Sequence, residues 1–456
     1  MKLTILGAGG LRTPLIIREM VSRQEQLNLD QLSLMDINPD NLDIIQSLVD
    51  PIVHQEKPSF RINWTTKAES ALKDADFVIT TFRVGGMESR VVDEKVPLKL
   101  GLLGQETTGA GGFAMAMRTL PVLVHYVELM KEQCPHAWLI NFANPSGLLT
   151  EAIIQTAHWK RAVGICDAPS TFQRVAAALL QVPFEKIFLD YFGLNHLGWI
   201  RGVEIDGVNF LPQFLKTLQQ NGGFGELPFD VDLLTHLQLI PNEYLFYYYY
   251  SRQAVENILQ SEETRGEWLS RVNRALFTEL RQLKQNGDTA AMLQSYQEYL
   301  TARSQTYLSK ETARQHTLIQ LAPQVSEALS NSGYAGVALD LIEALNGNKP
   351  RLMTLNIPNH GAIPVMGEED VVEIPALVQQ NDIRPIAVGA IPIHCSSLMQ
   401  RVKEYEQLTI AAAAEGSRQK ALMALTIHPL VNDYSLATTI LDQYQQLHSS
   451  YFPKLH

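Results

Sequence analysis

The chain opens on the pattern of a buried strand: Lys2-Leu3-Thr4-Ile5-Leu6 is a short apolar run, closed by the glycines Gly7, Gly9 and Gly10. Apolar residues then recur at helical spacing from Pro14 to Arg23, and a second run, Gln31 to Met35, ends in Asp36. Strand, glycine turn, helix and strand make a βαβ unit. Further strands are expected at Asp76–Thr81, Ala137–Phe142 and Arg161–Ile165, with a helical segment before the last two, which continues a parallel doubly wound sheet. Beyond about residue 165 the segments lengthen: strands at Phe188–Phe192 and Val203–Phe210, helices at Glu267–Gln285 and Thr289–Leu308. No linker rich in proline, glycine or serine marks the change, so a second domain packs directly on the first.

In such a unit the glycines let the backbone approach a pyrophosphate on the helix N-terminus, and an acid ending the second strand hydrogen-bonds ribose hydroxyls. Gly7, Gly9, Gly10 and Asp36 suit a dinucleotide in those roles. The third position of the G-x-G-x-x-G pattern is Arg12, however, so a tight strand-to-helix turn with no ligand is the alternative.

Composition narrows the class. Of 456 residues, 46% are hydrophobic and 19% charged, as in a water-soluble globular chain with more than one core. Lysine and arginine number 37 against 48 acids, a formal charge of −11 with no basic stripe, which disfavours nucleic acid as a partner. No stretch approaches the roughly 20 apolar residues of a membrane span, and the early glycines leave no room for a signal-peptide core. A cytoplasmic protein with no membrane partner is expected. Three cysteines, Cys134, Cys166 and Cys395, are an odd number, which argues for a reducing compartment rather than a disulfide framework.

Four polar clusters, read as loops at strand ends, offer chemistry. The first joins Phe82–Arg90 to the glycine-dense Gly104–Gly112 with the embedded acid Glu106; a flexible surface loop is its plain reading. The second is Asn141–Gly147, where Asn144 precedes a proline and is biased to an extended backbone with its amide open to a ligand. The third, Gly164–Pro169, brings Cys166 and Asp167, and the fourth, Gly193–Trp199, brings His196. A thiol and an imidazole at two strand ends suit a soft divalent metal, although each residue alone is more often core packing. Ser146 lacks the G-x-S-x-G elbow of a serine nucleophile.

Taken in order, GAGGLRTP, FRVGGMESRVVDEKVPLKLGLLGQETTGAGG, INFANPSG, GICDAP, GLNHLGW, IPNEYLFYYYY and NIPNHGAI resemble glycoside hydrolase family 4, above all its 6-phospho-glucosidases, over nearly the whole chain. The resemblance implies an NAD-binding Rossmann-type domain, lactate/malate dehydrogenase-like, over residues 1–165 and a catalytic α+β domain over 166–456. It implies NAD and a divalent metal, manganese by expectation, as cofactors, a phosphorylated disaccharide or glucoside as substrate, and a homodimer or homotetramer. The implied roles are metal ligation by Cys166 and His196, C2 deprotonation by Tyr244, phosphate binding by Arg90 and Arg265, and sugar contact by Asn144. Asp167 stands where family members that act on 6-phospho-α-glucosides have an acid that protonates the leaving oxygen. FRVGG and the Ser332-Gly333-Tyr334-Ala335 segment look more like the β enzymes, which are favoured.

The chemistry so implied has a physical logic. A sugar C2–H is too weakly acidic for a side-chain base until oxidation at C3 makes its neighbour a ketone; a metal on the C2 and C3 oxygens then stabilises the enolate. Loss of the aglycone, addition of water and return of the hydride complete the cycle without a carboxylate pair. Tyr244 needs its pKa lowered from about 10 to serve at neutral pH. The competing reading is a 2-hydroxy-acid dehydrogenase, which needs an Asp–His relay and no metal; a nucleotide sensor without activity is the third.

Overall fold

The computed structural model describes residues 1–221, 228–313, 333–347 and 349–456; Ser332 lies outside them. Its centre is one mixed sheet, thirteen-stranded among the described residues. The N-terminal half supplies β1 (Lys2–Leu6), β2 (Gln31–Met35), β3 (Arg61–Thr65), β4 (Phe77–Thr80), β5 (Trp138–Asn141) and β6 (Ala162–Gly164), all parallel in the order β3-β2-β1-β4-β5-β6. Leu3, Ile5, Leu6, Val78 and Ile79 are fully buried, as strands covered by helices on both faces require. The order reverses between β1 and β4, so a crevice opens at their carboxyl ends.

The sheet does not stop at residue 165. The second half adds β7 (Ile187–Leu194), β8 (Leu197–Ile205), β9 (Val208–Asn209), β10 (Ile240–Pro241), β11 (Arg351–Pro358), β12 (Val371–Gln379) and β13 (Asp382–Pro385). Their pairing is antiparallel, and β11 joins β6 through Asn356 opposite Gly164 while β12 joins β7 through Glu373 opposite Gly193. These two joins bring the loop after β6 and the β7–β8 turn to neighbouring places.

Three expectations need correction, and one strand was not expected. The run Val203–Phe210 is not one strand: a turn at Asp206-Gly207, both at positive φ, folds it into the end of β8 and the short β9. The edge strand β3 escaped notice because its side chains are half-exposed and give no apolar run. The Phe82–Arg90 cluster is a loop only as far as Gly85; Arg90 sits on the helix Gly86–Leu98. Nor is the glycine-dense stretch a loose loop, since Gly109–Gln133 is helical and buried at its start. Gly111 and Gly112 are there for closeness: a Cβ would lie 2.0 Å from Gln105 O and 2.6 Å from Thr107 C, respectively.

Candidate active site

At the β1 turn, the amides of Gly7 and Ala8 both donate to Met35 O at 2.9 Å, which binds the turn to the end of β2. Gly7 has φ +98, and a Cβ there would lie 2.7 Å from Phe82 N. Asp36 Oδ2 accepts from the Gly9 amide at 2.8 Å, and a Cβ on Gly9 would lie 2.7 Å from the Asp36 carboxyl carbon. Gly10 has no such crowding; its nearest contact would be 3.5 Å away. The helix Thr13–Ser22 starts from this turn. Tyr296, from the helix Thr289–Gln305, donates to Leu11 O at 2.6 Å, so the second half of the chain latches onto the turn.

Cys166 and Asp167 occupy the link between β6 and the helix Ala168–Leu180. His196 forms the tight turn between β7 and β8 at φ +62, with 3% exposure. Its Nδ1 lies 3.1 Å from Thr107 Oγ1, and its buried Nε2 has no hydrogen-bond partner. Burial pushes this imidazole down to about 4, against a weaker pull from Glu106, so it is neutral near pH 7 with a lone pair to offer. The Cys166 thiol is pushed up by burial and then by Glu373 and Asp167.

Tyr244 follows the strand β10 in a short turn, where Asn242 Oδ1 accepts from its amide at 3.0 Å. Its ring stacks on His196, centroids 3.8 Å apart and planes 9° apart. The phenol is pushed well above its ordinary value by burial, with Cys166 and Glu243 adding to the effect. That is opposite to the lowering the sequence reading requires of a base, because burial disfavours the phenolate and the acidic neighbours add to it. Glu243, beside it, is itself raised to about 7 by burial and by Asp167. Among the described residues no group of three His, Cys, Asp or Glu side chains is arranged to hold a metal; Cys166 and His196 both neighbour Tyr244, the imidazole by its stack and the thiol by its effect on the phenol.

Arg90 is buried and paired on two sides: its Nε lies 2.7 Å from Glu94 Oε1 and its Nη1 2.9 Å from Glu106 Oε1. Arg83 also pairs with Glu106. Burial alone would raise the Glu106 carboxyl, but Arg83, Arg90, Arg265 and Arg303 outweigh it and hold the group at about 2. Arg265 opens the helix Arg265–Gln285 and donates to Thr306 Oγ1 at 2.9 Å. Arg303 is lowered to about 10 by burial and by the like charges of Arg12 and Arg265. Arg83 and Arg303 were not expected here; the first lies inside FRVGG, while the second sits in a helical stretch with no motif around it. Asn144 precedes a cis peptide bond to Pro145, and the next amide, Ser146 N, donates to Asn195 Oδ1 at 3.1 Å. That bond places the Asn144 loop against the His196 turn.

The predicted residues thus fall into two groups: the glycine turn with Asp36, and the Cys166, Asp167, His196, Tyr244, Arg90, Arg265 and Asn144 region across the crevice. The chain is 31% identical over 465 aligned residues to a probable 6-phospho-β-glucosidase of Bacillus subtilis, with 100% of this chain and 98% of that protein covered. A Thermotoga maritima 6-phospho-β-glucosidase structure with manganese, NAD+ and glucose-6-phosphate is 27% identical with a TM-score of 0.83, covering 100% of each chain. A 6-phospho-α-glucosidase from gut microorganisms, in complex with NAD and Mn2+, is 26% identical with a TM-score of 0.83, covering 100% of this chain and 99% of that one. The fold alone is shared with a Plasmodium falciparum malate dehydrogenase, 13% identical at a TM-score of 0.52 over 91% of this chain and 99% of that one. Residues 2–182 match the family 4 glycosyl hydrolase model and residues 191–431 match its C-terminal domain, and the chain belongs to that family of glycosidases.

Proposed function

We propose that this glycosidase hydrolyses 6-phospho-glucosides, the β anomer favoured, with NAD and a divalent metal such as manganese. Residues 1–165 take the dinucleotide and lend Arg90 and Asn144 to the sugar phosphate, and 166–456 supply Cys166, His196, Tyr244 and Arg265. The single observation behind the reading is the stacked His196–Tyr244 pair, a neutral imidazole with a free buried nitrogen laid on a phenol, beside a cluster of arginines. The dehydrogenase alternative loses its ground, because the likeness to malate dehydrogenase extends to the fold alone.

The residues present fit both groups. The orphaned Nε2 of His196 is a ready ligand position, and Thr107 fixes the ring through Nδ1. Cys166, a thiol at the adjoining strand end, suits a divalent cation as thiolate. At the glycine turn, side chains on residues 7 and 9 would run into Phe82 and Asp36, so the turn stays bare backbone that a pyrophosphate can approach. When bound, the nicotinamide takes and returns a hydride at C3 of the sugar, and the cation draws charge from the C2 and C3 oxygens.

Tyr244 would take the proton from C2 through its phenolate oxygen; its ring lies against His196, so a divalent cation held by Cys166 and His196 would supply positive potential that opposes the upward push of burial on the phenol. Arg90 and Arg265 orient the 6-phosphate with planar guanidinium forks, and Asn144 contacts sugar hydroxyls. Asp167, at the start of the helix Ala168–Leu180, would protonate the leaving oxygen. Its presence favours the second reading, a 6-phospho-α-glucosidase, which the named α relative also fits.

The deciding experiment assays p-nitrophenyl α- and β-glucoside 6-phosphates with and without NAD+ and Mn2+. Cleavage of the β substrate that requires both additions is the expected result. Cleavage of the α substrate alone would reassign the anomer, and free NADH accumulating with each turnover would return the dehydrogenase.

A further inference from the structure

One buried carboxylate, outside every residue role considered so far, joins the segments that carry Arg90 and Arg265. Glu94 lies one helical turn beyond Arg90 with its side chain 3% exposed. Its Oε1 accepts from Arg90 Nε at 2.7 Å. Its Oε2 accepts at 2.7 Å from the amide of Gly266, the residue next to Arg265 and 172 positions along the chain from Glu94. The two oxygens of a single side chain therefore hold one guanidinium directly and the backbone beside the other.

The contact is close on every side. A Cβ on residue 266 would lie 2.6 Å from Glu94 Oε2, so any larger residue there pushes the carboxylate aside. Lys95 repeats the join, with Nζ 2.5 Å from Glu267 Oε1, and Thr264 and Glu267 close a capping box at the same helix end. Beneath, Asp93 receives Arg118 through two bonds of 2.6 and 2.7 Å, and its carbonyl accepts from Tyr444 at 2.9 Å, which anchors the helix from the other face.

The geometry points to Glu94 as a positioning residue for the sugar phosphate, one that sets the spacing of Arg90 against Arg265. This inference rests on the proposal that those two arginines recognise the 6-phosphate. Two long guanidinium side chains bind a phosphate well only if their freedom is removed before the ligand arrives. Glu94 removes it for Arg90 by a buried charge-assisted bond and for Arg265 by fixing the first turn of its helix. The remaining donors of each fork stay available, since a guanidinium carries five.

The test uses holoenzyme with NAD+ and Mn2+ and compares Glu94→Gln, which removes the charge at constant shape, with Gly266→Ala, which keeps both charges and forces the carboxylate off the helix end. Readouts are KM and kcat for the p-nitrophenyl glucoside 6-phosphate that the wild type cleaves, dissociation constants for glucose 6-phosphate and for NAD+, and the melting temperature. Both variants are expected to raise KM and weaken glucose 6-phosphate roughly tenfold, the scale of a lost charge-assisted bond, with NAD+ affinity and kcat moving far less. Equal losses in NAD+ and sugar-phosphate binding, or phosphate affinity within about twofold of wild type in both variants, overturn the inference. Arg90→Ala and Arg265→Ala separate the two layers. If they lose phosphate affinity while the Glu94 and Gly266 variants keep it, only the positioning role falls; if they too keep it, the phosphate assignment falls and takes the inference with it. Should Glu94→Gln fail to fold, Gly266→Ala decides alone.

Discussion

The imidazole of His196 and the ring of Tyr244 lie face to face, with centroids 3.8 Å apart and planes within 9° of parallel. In the roles proposed for them, metal ligand and proton acceptor, the two share one electrostatic environment, so charge placed at His196 Nε2 is felt at the phenol. Tyr244→Phe keeps the stack and removes only the acceptor oxygen. Turnover should fall about 10²–10⁴-fold, the range for losing a positioned base, while NAD+ and sugar phosphate still bind and the bound cofactor is still reduced. Wild type in D2O should place deuterium at C2 of the product and the variant almost none. Near-normal turnover in the variant, or no deuterium from wild type, would move the base elsewhere or remove elimination from the mechanism.

Metal dependence follows from the Cys166 and His196 pairing. Chelation with EDTA should abolish activity, and Mn2+ with a reductant should restore it. Thr107→Val removes the Oγ1 that lies 3.1 Å from His196 Nδ1, the contact that fixes the ring so that Nε2 faces the site. Manganese affinity should weaken about 10–100-fold, the usual cost of losing such an outer partner, with the melting temperature in EDTA little changed. Binding measured by calorimetry decides; an unchanged dissociation constant would detach Thr107 from the metal.

The phosphate reading is tested by comparing substrates. Arg90→Ala and Arg265→Ala should each cost about 1.5–3 kcal/mol of apparent binding to the 6-phosphate, as expected for bonds to an ion. Arg90 is the harsher case, because its removal also leaves the buried Glu94 without the cation it faces, whereas Glu106 keeps Arg83. Equal cleavage of phosphorylated and unphosphorylated glucosides by wild type would end the assignment.

Much of this was legible because periodicity and glycine placement are local. β1 runs Lys2–Leu6 and β2 Gln31–Met35, matching their apolar runs residue for residue, while the need for glycine at residue 7 comes from its φ of +98 and the approach of Phe82 N to within 2.7 Å of where a Cβ would lie. Arg90 was placed in a loop because the glycines before it masked the helix, whose first residue is Gly86. Glu94 and Gly266 carry no motif at all; their bond spans 172 positions, and only tertiary structure brings such a pair together. The phenol of Tyr244 illustrates a different gap: sequence supplies the residue type, but the sign of its shift depends on burial and on the neighbours Cys166 and Glu243.

A last prediction concerns His428, a residue given no role in the chemistry above. It is 1% exposed, its Nδ1 accepts from the Leu430 amide at 3.1 Å, and its Nε2 has no hydrogen-bond partner. Burial, helped by Arg401, pushes it down to about 3 from an ordinary 6.5. Between those values the unfolded chain binds a proton that the folded chain refuses, so this group's contribution to stability is present above pH 6.5 and is lost as the pH falls toward 3. His428→Asn keeps an acceptor for the Leu430 amide and cannot titrate. The variant should be less stable than wild type at pH 8 through lost packing against Tyr405, whose ring meets the imidazole edge-on at 4.4 Å. Below pH 6.5 the gap should shrink by up to about 1.4 kcal/mol per pH unit, one proton's worth. Urea unfolding at pH 8, 6.5, 5.5 and 5 measures it, and a gap that stays constant across that series would show that His428 is not held neutral by the fold.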